Sequence, residues 1–195
     1  RNCDLSSDVC SSDLYRHITN NVRPINRPDD LKGIKLRTPK GKWRVKMFQA
    51  YGANPSPMAL SEVFTALKTG VMDGQENPFT QIYSQKFQEV QKYLSLTGHV
   101  YTPAYVTVGA KKWDSLPSDI RKTLGDTAKE TQAFVYETAA AGDNDLLGKL
   151  KAAGMQVNEA DKAAFVAASG AIYEEFSKEV SGSKEVIDRA IALGK

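Results

Sequence analysis

Three side chains in this sequence have the type and the placing to hold an anion. Arg37 ends the run Ile34 to Thr38, which reads as a strand stopped by Pro39, and in open α/β sheets ligands settle just outside the carboxyl ends of strands. Its planar guanidinium fork can grip a carboxylate with two parallel hydrogen bonds. On the strand alone, a surface salt bridge fits equally well. Asn77 reads most simply as a helix N-cap, although its amide would also donate to a ligand oxygen if the helix start opens into a cleft. Arg16 would add a second cation; by itself it has no assigned role.

Catalytic chemistry has less to draw on. There are two histidines, His17 and His99, and no Gly-x-Ser-x-Gly elbow, phosphate-loop consensus or His-Glu-x-x-His helix. Both histidines read as hydrogen-bonded structural residues rather than bases, because a general base needs a positioned partner. Glu62, Asp73 and Glu76 could supply an acid and base pair of the glycosidase kind. Such carboxylates more often cap helices or pair with Lys and Arg. The basic run Arg37, Lys40, Lys42, Arg44, Lys46 surrounds Trp43 as a nucleic-acid patch would. On a helix it separates into a polar stripe of Lys42 and Lys46 and an apolar one of Trp43 and Met47, so nucleic acid is not expected as a partner.

The elements that must carry these residues alternate between short β-rich runs and amphipathic helices from Tyr15 onward, the pattern of an α/β fold. After the strand Ile34 to Thr38, a helix is expected over Gly41 to Tyr51. Asn54 to Ala59, with Pro55 and Pro57, reads as an extended edge segment. Ser61 is the expected N-cap of a second helix closed by Gly70, and Asp73-Gly74 the expected turn before a third helix that opens at Asn77-Pro78 and runs to Val90. A strand is expected over His99 to Gly109. Ser118 then caps a long helix to about Ala153, with breaks at Gly125, Gly142 and Gly148. Helices over Ala160 to Val180 and Lys184 to Leu193 complete the chain.

Composition adds limits. The 195 residues are 41% hydrophobic and 25% charged, with a net charge of +3, so no single-sign field singles out nucleic acid or a membrane surface. No apolar run reaches the roughly 18 to 20 residues of a membrane span, and direct membrane insertion is not expected. Cys3 and Cys10 lie in a near-repeat, Cys-Asp-Leu-Ser-Ser-Asp and Val-Cys-Ser-Ser-Asp-Leu, without helical or strand period. Residues 1 to 14 therefore read as a non-native or disordered leader. A metal clip there would lack partner ligands at zinc-like spacing. The start at Arg1 carries no basic and apolar leader, which reads as truncation or processing rather than as a cytoplasmic address.

Longer blocks are recognisable. Asp30-Leu-Lys-Gly-Ile-Lys-Leu-Arg-Thr-Pro39, Gly52-Ala-Asn-Pro-Ser-Pro-Met58 and Leu60-Ser-Glu-Val-Phe-Thr-Ala-Leu-Lys-Thr-Gly-Val-Met-Asp-Gly-Gln-Glu-Asn-Pro78 resemble, in that order and spacing, the DctP-type binding subunits of tripartite ATP-independent periplasmic (TRAP) transporters. The resemblance continues through Gln85 to Tyr93, His99, and Lys112-Trp113 with Leu116-Pro117. It implies a periplasmic-binding-protein-like two-lobed α/β fold, here truncated, with a long helix spanning the lobes. Residues 15-102 would form most of the second ligand-binding lobe, 103-142 a passage through the first lobe with the long helix, and 143-195 the return to the second lobe with the C-terminal helices. The family's carboxylate-clamping arginine falls on Arg37 and its cleft asparagine on Asn77. A neighbouring arginine falls on Arg16, with Asn20 a marginal contact and Leu60 keeping an apolar position where relatives can present an aromatic ring.

The implied function is a periplasmic, non-enzymatic solute-binding protein that captures a small organic carboxylate, a C4-dicarboxylate, sugar acid or similar, for a permease of small and large integral-membrane subunits. No cofactor or metal is implied. Two competing readings are a ligand sensor of the same fold and a small α/β hydrolase or lyase acting on carboxylates. The leader can be tested at once: deleting residues 1 to 14 is expected to leave the thermal midpoint unchanged, and a fall of several degrees would show that they pack.

Overall fold

In the computed structural model the described residues are 15–102 and 107–193, so the leader and residues 103–106 lie outside them. Six strands form one mixed sheet: β1 (Tyr15–Asn20), β2 (Lys35–Thr38), β3 (Asn54–Pro57), β4 (Gly74–Asn77), β5 (Tyr93–Tyr101) and β6 (Gln156–Glu159), in the spatial order β3-β2-β4-β1-β5-β6. β2 is parallel to β3 and β4, and β5 to β6, while β1 runs antiparallel to both its neighbours. The carboxyl ends of five strands and the start of β1 consequently share one edge of the sheet.

Eight helices accompany the sheet among the described residues: α1 (Lys42–Ala50), α2 (Leu60–Lys68), α3 (Phe79–Ser84), α4 (Ala110–Asp114), α5 (Ser118–Ala152), α6 (Lys162–Ala168), α7 (Gly170–Glu179) and α8 (Ser183–Leu193). Alternation along the strands sends side chains to two apolar clusters. Ile18, Leu36 and Phe48 meet Ile34, Tyr51 and Phe165 in one. In the other, Leu94 and Leu96 of β5 meet Val63 and Leu67 of α2, Phe79 and Ile82 of α3, and Leu150 near the end of α5. At roughly 1.5 to 3 kcal/mol for each fully buried large side chain, these clusters hold the helices to the sheet.

Several sequence expectations are corrected. The second helix starts at Leu60, one residue before the expected cap Ser61, because the Glu62 carboxylate accepts the Ala59 N–H at 3.1 Å and closes its first turn. The expected turn at Asp73-Gly74 leads straight into β4, a buried strand made of Gly-Gln-Glu-Asn. Asn77 is therefore the last residue of β4 and caps nothing; α3 begins at Phe79 and ends at Ser84, before Lys86 turns left-handed at φ 57°. β5 starts at Tyr93, so His99 lies near its end; the expected strand over His99 to Gly109 falls partly outside the described residues, and the described residues 107–109 are not in a strand. Ser118 is the first helical residue of α5 rather than its cap, and the 35-residue helix continues through Gly125, Gly142 and Gly148. The expected helix from Ala160 divides at Ser169, whose hydroxyl donates to the Phe165 carbonyl at 2.8 Å and hydrogen-bonds the Tyr51 hydroxyl at 2.6 Å. β6 has no counterpart in the sequence reading.

Gly74 explains why a strand of such composition can sit between β2 and β1. A Cβ at this position would stand 2.3 Å from the Thr19 carbonyl oxygen and 2.7 Å from the Asn20 Cβ, so only glycine lets β1 approach. Gly74→Ala is expected to destabilise the chain by about 1 to 3 kcal/mol, as overpacking does. Urea denaturation measures it, and an unchanged midpoint would mean that β1 and β4 are not held this closely.

Candidate anion-binding site

At the shared edge of the sheet, one carboxylate draws side chains from three other elements. Glu76 of β4 is fully buried. Arg16 of β1 donates from Nε to its Oε2 at 2.6 Å and from Nη2 to its Oε1 at 3.1 Å. Arg44, in the first turn of α1, donates from Nη1 to Oε1 at 2.8 Å. His99 of β5 lies with Nε2 3.1 Å from Oε2. Strand register explains the first contact, since Ile18 pairs with Glu76 and Arg16 precedes Ile18 by two residues on the same face. A bulge explains the last: register shifts between Arg16 and Ile18, and Gly98 at φ 55° turns β5 there.

The protonation states follow from these partners. Burial would raise the Glu76 carboxyl, but the His99 hydrogen bond and the Arg16 charge reverse that and hold it at about 2. Burial pushes His99 down, with Arg44 and Arg16 acting the same way against the pull of Glu76. A neutral His99 facing an ionised carboxylate carries its proton on Nε2, which leaves Nδ1 to accept from Thr97 Oγ1 at 2.7 Å. Phe48 stands edge-on to the ring, 5.2 Å between centroids. His17 is also kept neutral, lowered to about 3 by burial and then by His99 and Lys162. It accepts the Gly98 N–H at 3.3 Å and stacks on Phe79. Neither histidine is placed as a free base.

Arg37 stands beside this cluster without joining it. The side chain is buried and donates from Nε and Nη2 to the Met58 carbonyl at 2.9 and 2.5 Å. Burial, helped by Arg16 and Arg44 and opposed by the attraction of Glu76, lowers its pKa to about 10. It remains a cation at neutral pH and makes no ion pair among the described residues. The surface-bridge reading of Arg37 is therefore set aside. Thr38, next along β2, is fully buried, and its Oγ1 has no hydrogen-bond partner among the described residues.

Asn77 is brought to the same edge. Its Oδ1 accepts from Arg16 Nη2 at 2.8 Å, and its Nδ2 donates to Gln75 Oε1 at 2.5 Å. Gln75 Nε2 donates to Thr19 Oγ1, which donates to Gln91 Oε1, both at 2.9 Å. This buried relay fixes the amide's orientation and leaves it a second N–H to give. Asn20 is elsewhere, paired with Gly74 at the opposite end of β1. Its Oδ1 accepts the Val22 and Arg23 N–H groups and its Nδ2 donates to the Arg23 carbonyl, so its amide is engaged in a turn. Leu60 opens α2 and packs against the apolar cluster around Leu94. The sequence offers Glu76 only as one of three acid-base candidates, Arg44 as part of a basic run and His99 as a structural histidine, because three sequence-distant side chains define the role of Glu76.

A sheet that gathers cations and amides at the carboxyl ends of its strands has the architecture of an α/β solute-binding protein. Residues 12–179 match the model of the DctP family, bacterial extracellular solute-binding protein, family 7. A solute-binding protein of Verminephrobacter eiseniae is 42% identical over 170 residues, 85% of this chain and 50% of its own length. A TRAP periplasmic solute-binding protein of Chromohalobacter salexigens, crystallised with D-glucuronate, superposes with a TM-score of 0.85 at 32% identity over 93% of this chain and 60% of its own. A TRAP periplasmic solute-binding protein from Polaromonas, crystallised with D-erythronate, gives 0.80 at 37% identity, covering 89% and 58%. The chain belongs to this family of solute-binding proteins. It spans about half the length of the curated relatives it matches.

Acid should unfold this chain in a defined window. A carboxyl held at about 2 in the fold, against 4.5 free, stabilises the fold above pH 4.5, by an amount on the order of 3 kcal/mol that is lost as pH falls towards 2. The two histidines, depressed from 6.5, act in the same direction and begin to cost stability below that pH. Thermal midpoints are expected to fall from pH 7 to pH 3, whereas a flat profile would contradict the buried, neutral histidines. Glu76→Gln should cost about 3 to 5 kcal/mol at pH 7, because it strands buried cations.

Proposed function

We propose that this protein holds the carboxylate of a small organic acid at the edge formed by Arg37, Asn77 and Arg16, as the solute-capturing component of a TRAP-type transporter in the periplasm. The observation that carries the reading is an imbalance of charge. Arg16 and Arg44 share the single carboxylate of Glu76, and Arg37 beside them has no acidic partner among the described residues. A buried unpaired cation is costly, and an anionic ligand relieves that cost.

Arg37 acts as the main anchor in this reading, and Arg16, locked by Glu76, as a second positive wall. The second N–H of Asn77 donates to a ligand oxygen, while Leu60 contributes apolar surface nearby and Asn20 shapes the turn after β1. Residues 15-102 and 143-195 form one lobe and residues 103-142 cross to the other. The opposite wall belongs to the half of the relatives that this chain does not span, and the partner that receives the solute is an integral-membrane permease of small and large subunits. Among the described residues no helix is long and apolar enough to cross a membrane.

The test is affinity for an organic acid in the full-length protein. Arg37→Ala is expected to cost about 2 to 5 kcal/mol, because the ligand carboxylate is left without its partner. Arg37→Lys should lose less, since charge remains but the two-pronged grip does not. Asn77→Ala should cost on the order of 1 to 2 kcal/mol, the value of one hydrogen bond to a charged group. Near-normal calorimetric binding by Arg37→Ala would remove the central residue of the site.

A further inference from the structure

Helix α1 is built against its own electrostatics. Lys42 and Arg44 lie in its first turn and Lys46 follows, while that turn holds no acid and receives no side-chain cap. The positive end of a helix dipole repels cations placed there. Nine residues are too few to hold a helix unaided, and the fully buried side chain that anchors this one, Phe48, lies towards its carboxyl end. The amino-terminal half of α1 therefore depends on acids brought from other elements. Glu76 supplies one, to Arg44.

Helix α7 supplies two more. It runs antiparallel along α1, from Ser169, which hydrogen-bonds Tyr51 at 2.6 Å just past the end of α1, to Glu179, which pairs with Lys42 at 2.5 Å. Between these ends Glu175 pairs with Lys46. The two pairs repeat at the four-residue spacing that puts side chains on one face of each helix. Phe176 stands between them, edge-on to Trp43 at 5.0 Å between centroids, and the Lys42 and Lys46 ammonium groups lie 4.9 and 5.5 Å from the indole ring. None of the residues of α7 is itself fully buried. Its contacts fasten the turn that carries Arg44 and add little to the apolar clusters.

Resting on the carboxylate reading, we propose that Glu175 and Glu179 are positioning residues of the anion site: by holding the first turn of α1 they keep Arg44 on Glu76, and so keep Glu76 aligned with Arg16. The two acids act through α1 and do not touch the ligand. A protein whose turn frays part of the time binds with its affinity reduced by the fraction of molecules in which the turn is intact. Ion pairs this exposed are individually weak, so their loss changes affinity by a few-fold. The sign of the change is diagnostic. Removing two acids makes the protein more positive, and the long-range field alone would then tighten the binding of an anion.

Calorimetry on the full-length protein tests this with the tightest binder from a thermal-shift panel of organic acids that includes D-glucuronate and D-erythronate. The double variant Glu175→Gln, Glu179→Gln is expected to bind about three- to tenfold more weakly. Its ligand-free thermal midpoint should stay within about 2 °C of wild type, and amide hydrogen exchange should speed up over residues 42–45. Glu174→Gln, which removes a neighbouring acid of α7 that forms no ion pair among the described residues, should leave affinity unchanged. In an Arg44→Gln background the double substitution should alter affinity by less than about twofold, because the route through Arg44 is already cut. Unchanged or tighter binding by the double variant overturns the proposal and leaves the carboxylate reading standing. An equal loss in the Arg44→Gln background overturns it as well, and so does a fall of the ligand-free midpoint by many degrees, which would make α7 a support of the whole fold. If wild type binds no acid in the panel, both readings fall together.

Discussion

The carboxylate of Glu76 is the point on which this edge of the sheet depends. A charged group with no exposed surface is tolerable only when its partners are fixed, and here they come from β1, α1 and β5. The ion pairs bind the antiparallel strand to its neighbour and seat the helix that follows β2, and the hydrogen bond from His99 holds the bulged end of β5 against the sheet. Gly74 completes the arrangement from below, because the close approach of β1 that it allows is what brings Arg16 within reach of Glu76.

The same carboxylate determines what the surrounding cations can do. By occupying Arg16 on two nitrogens and Arg44 on one, Glu76 orients both without neutralising both. Arg37 is held by a backbone carbonyl instead, which positions a guanidinium without cancelling its charge. Backbone acceptors for one arginine and a side-chain acid for another are two ways to preorganise cations, and they leave different amounts of charge for a ligand. The buried amide relay from Asn77 to Gln91 has the complementary part of orienting a neutral donor.

Legibility followed the range of the interactions. Arg37 was readable because a strand stopped by proline is local information, and the blocks around it carry the family's spacing. Asn77 reads from the sequence as a helix cap although it ends β4, since Asn-Pro looks like a helix start whether or not a strand precedes it. β4 was missed because Gly, Gln, Glu and Asn have poor β-propensity, and what makes them a strand is pairing on both sides with β2 and β1. Glu76 could not be singled out, because its partners lie 60, 32 and 23 residues away in the chain. The glycines of α5 suggested breaks that a continuous helix does not show, so their cost, about 1 kcal/mol each, is met elsewhere.

The long helix also has a mechanical meaning. α5 is packed near its carboxyl end, where Leu146, Leu147 and Leu150 enter the apolar cluster, while Ile120, Leu124, Phe134 and Tyr136 remain exposed. It is a rod of roughly 50 Å at 1.5 Å per residue, fixed at one end. Lys149 seals that end, pairing with Asp145 at 2.7 Å and lying over the Tyr83 ring of α3. Such a rod amplifies: a tilt of about 10° at its root sweeps the far end through roughly 8 to 9 Å, so slight repacking around Leu150 becomes a displacement of more than atomic-contact scale far from the sheet.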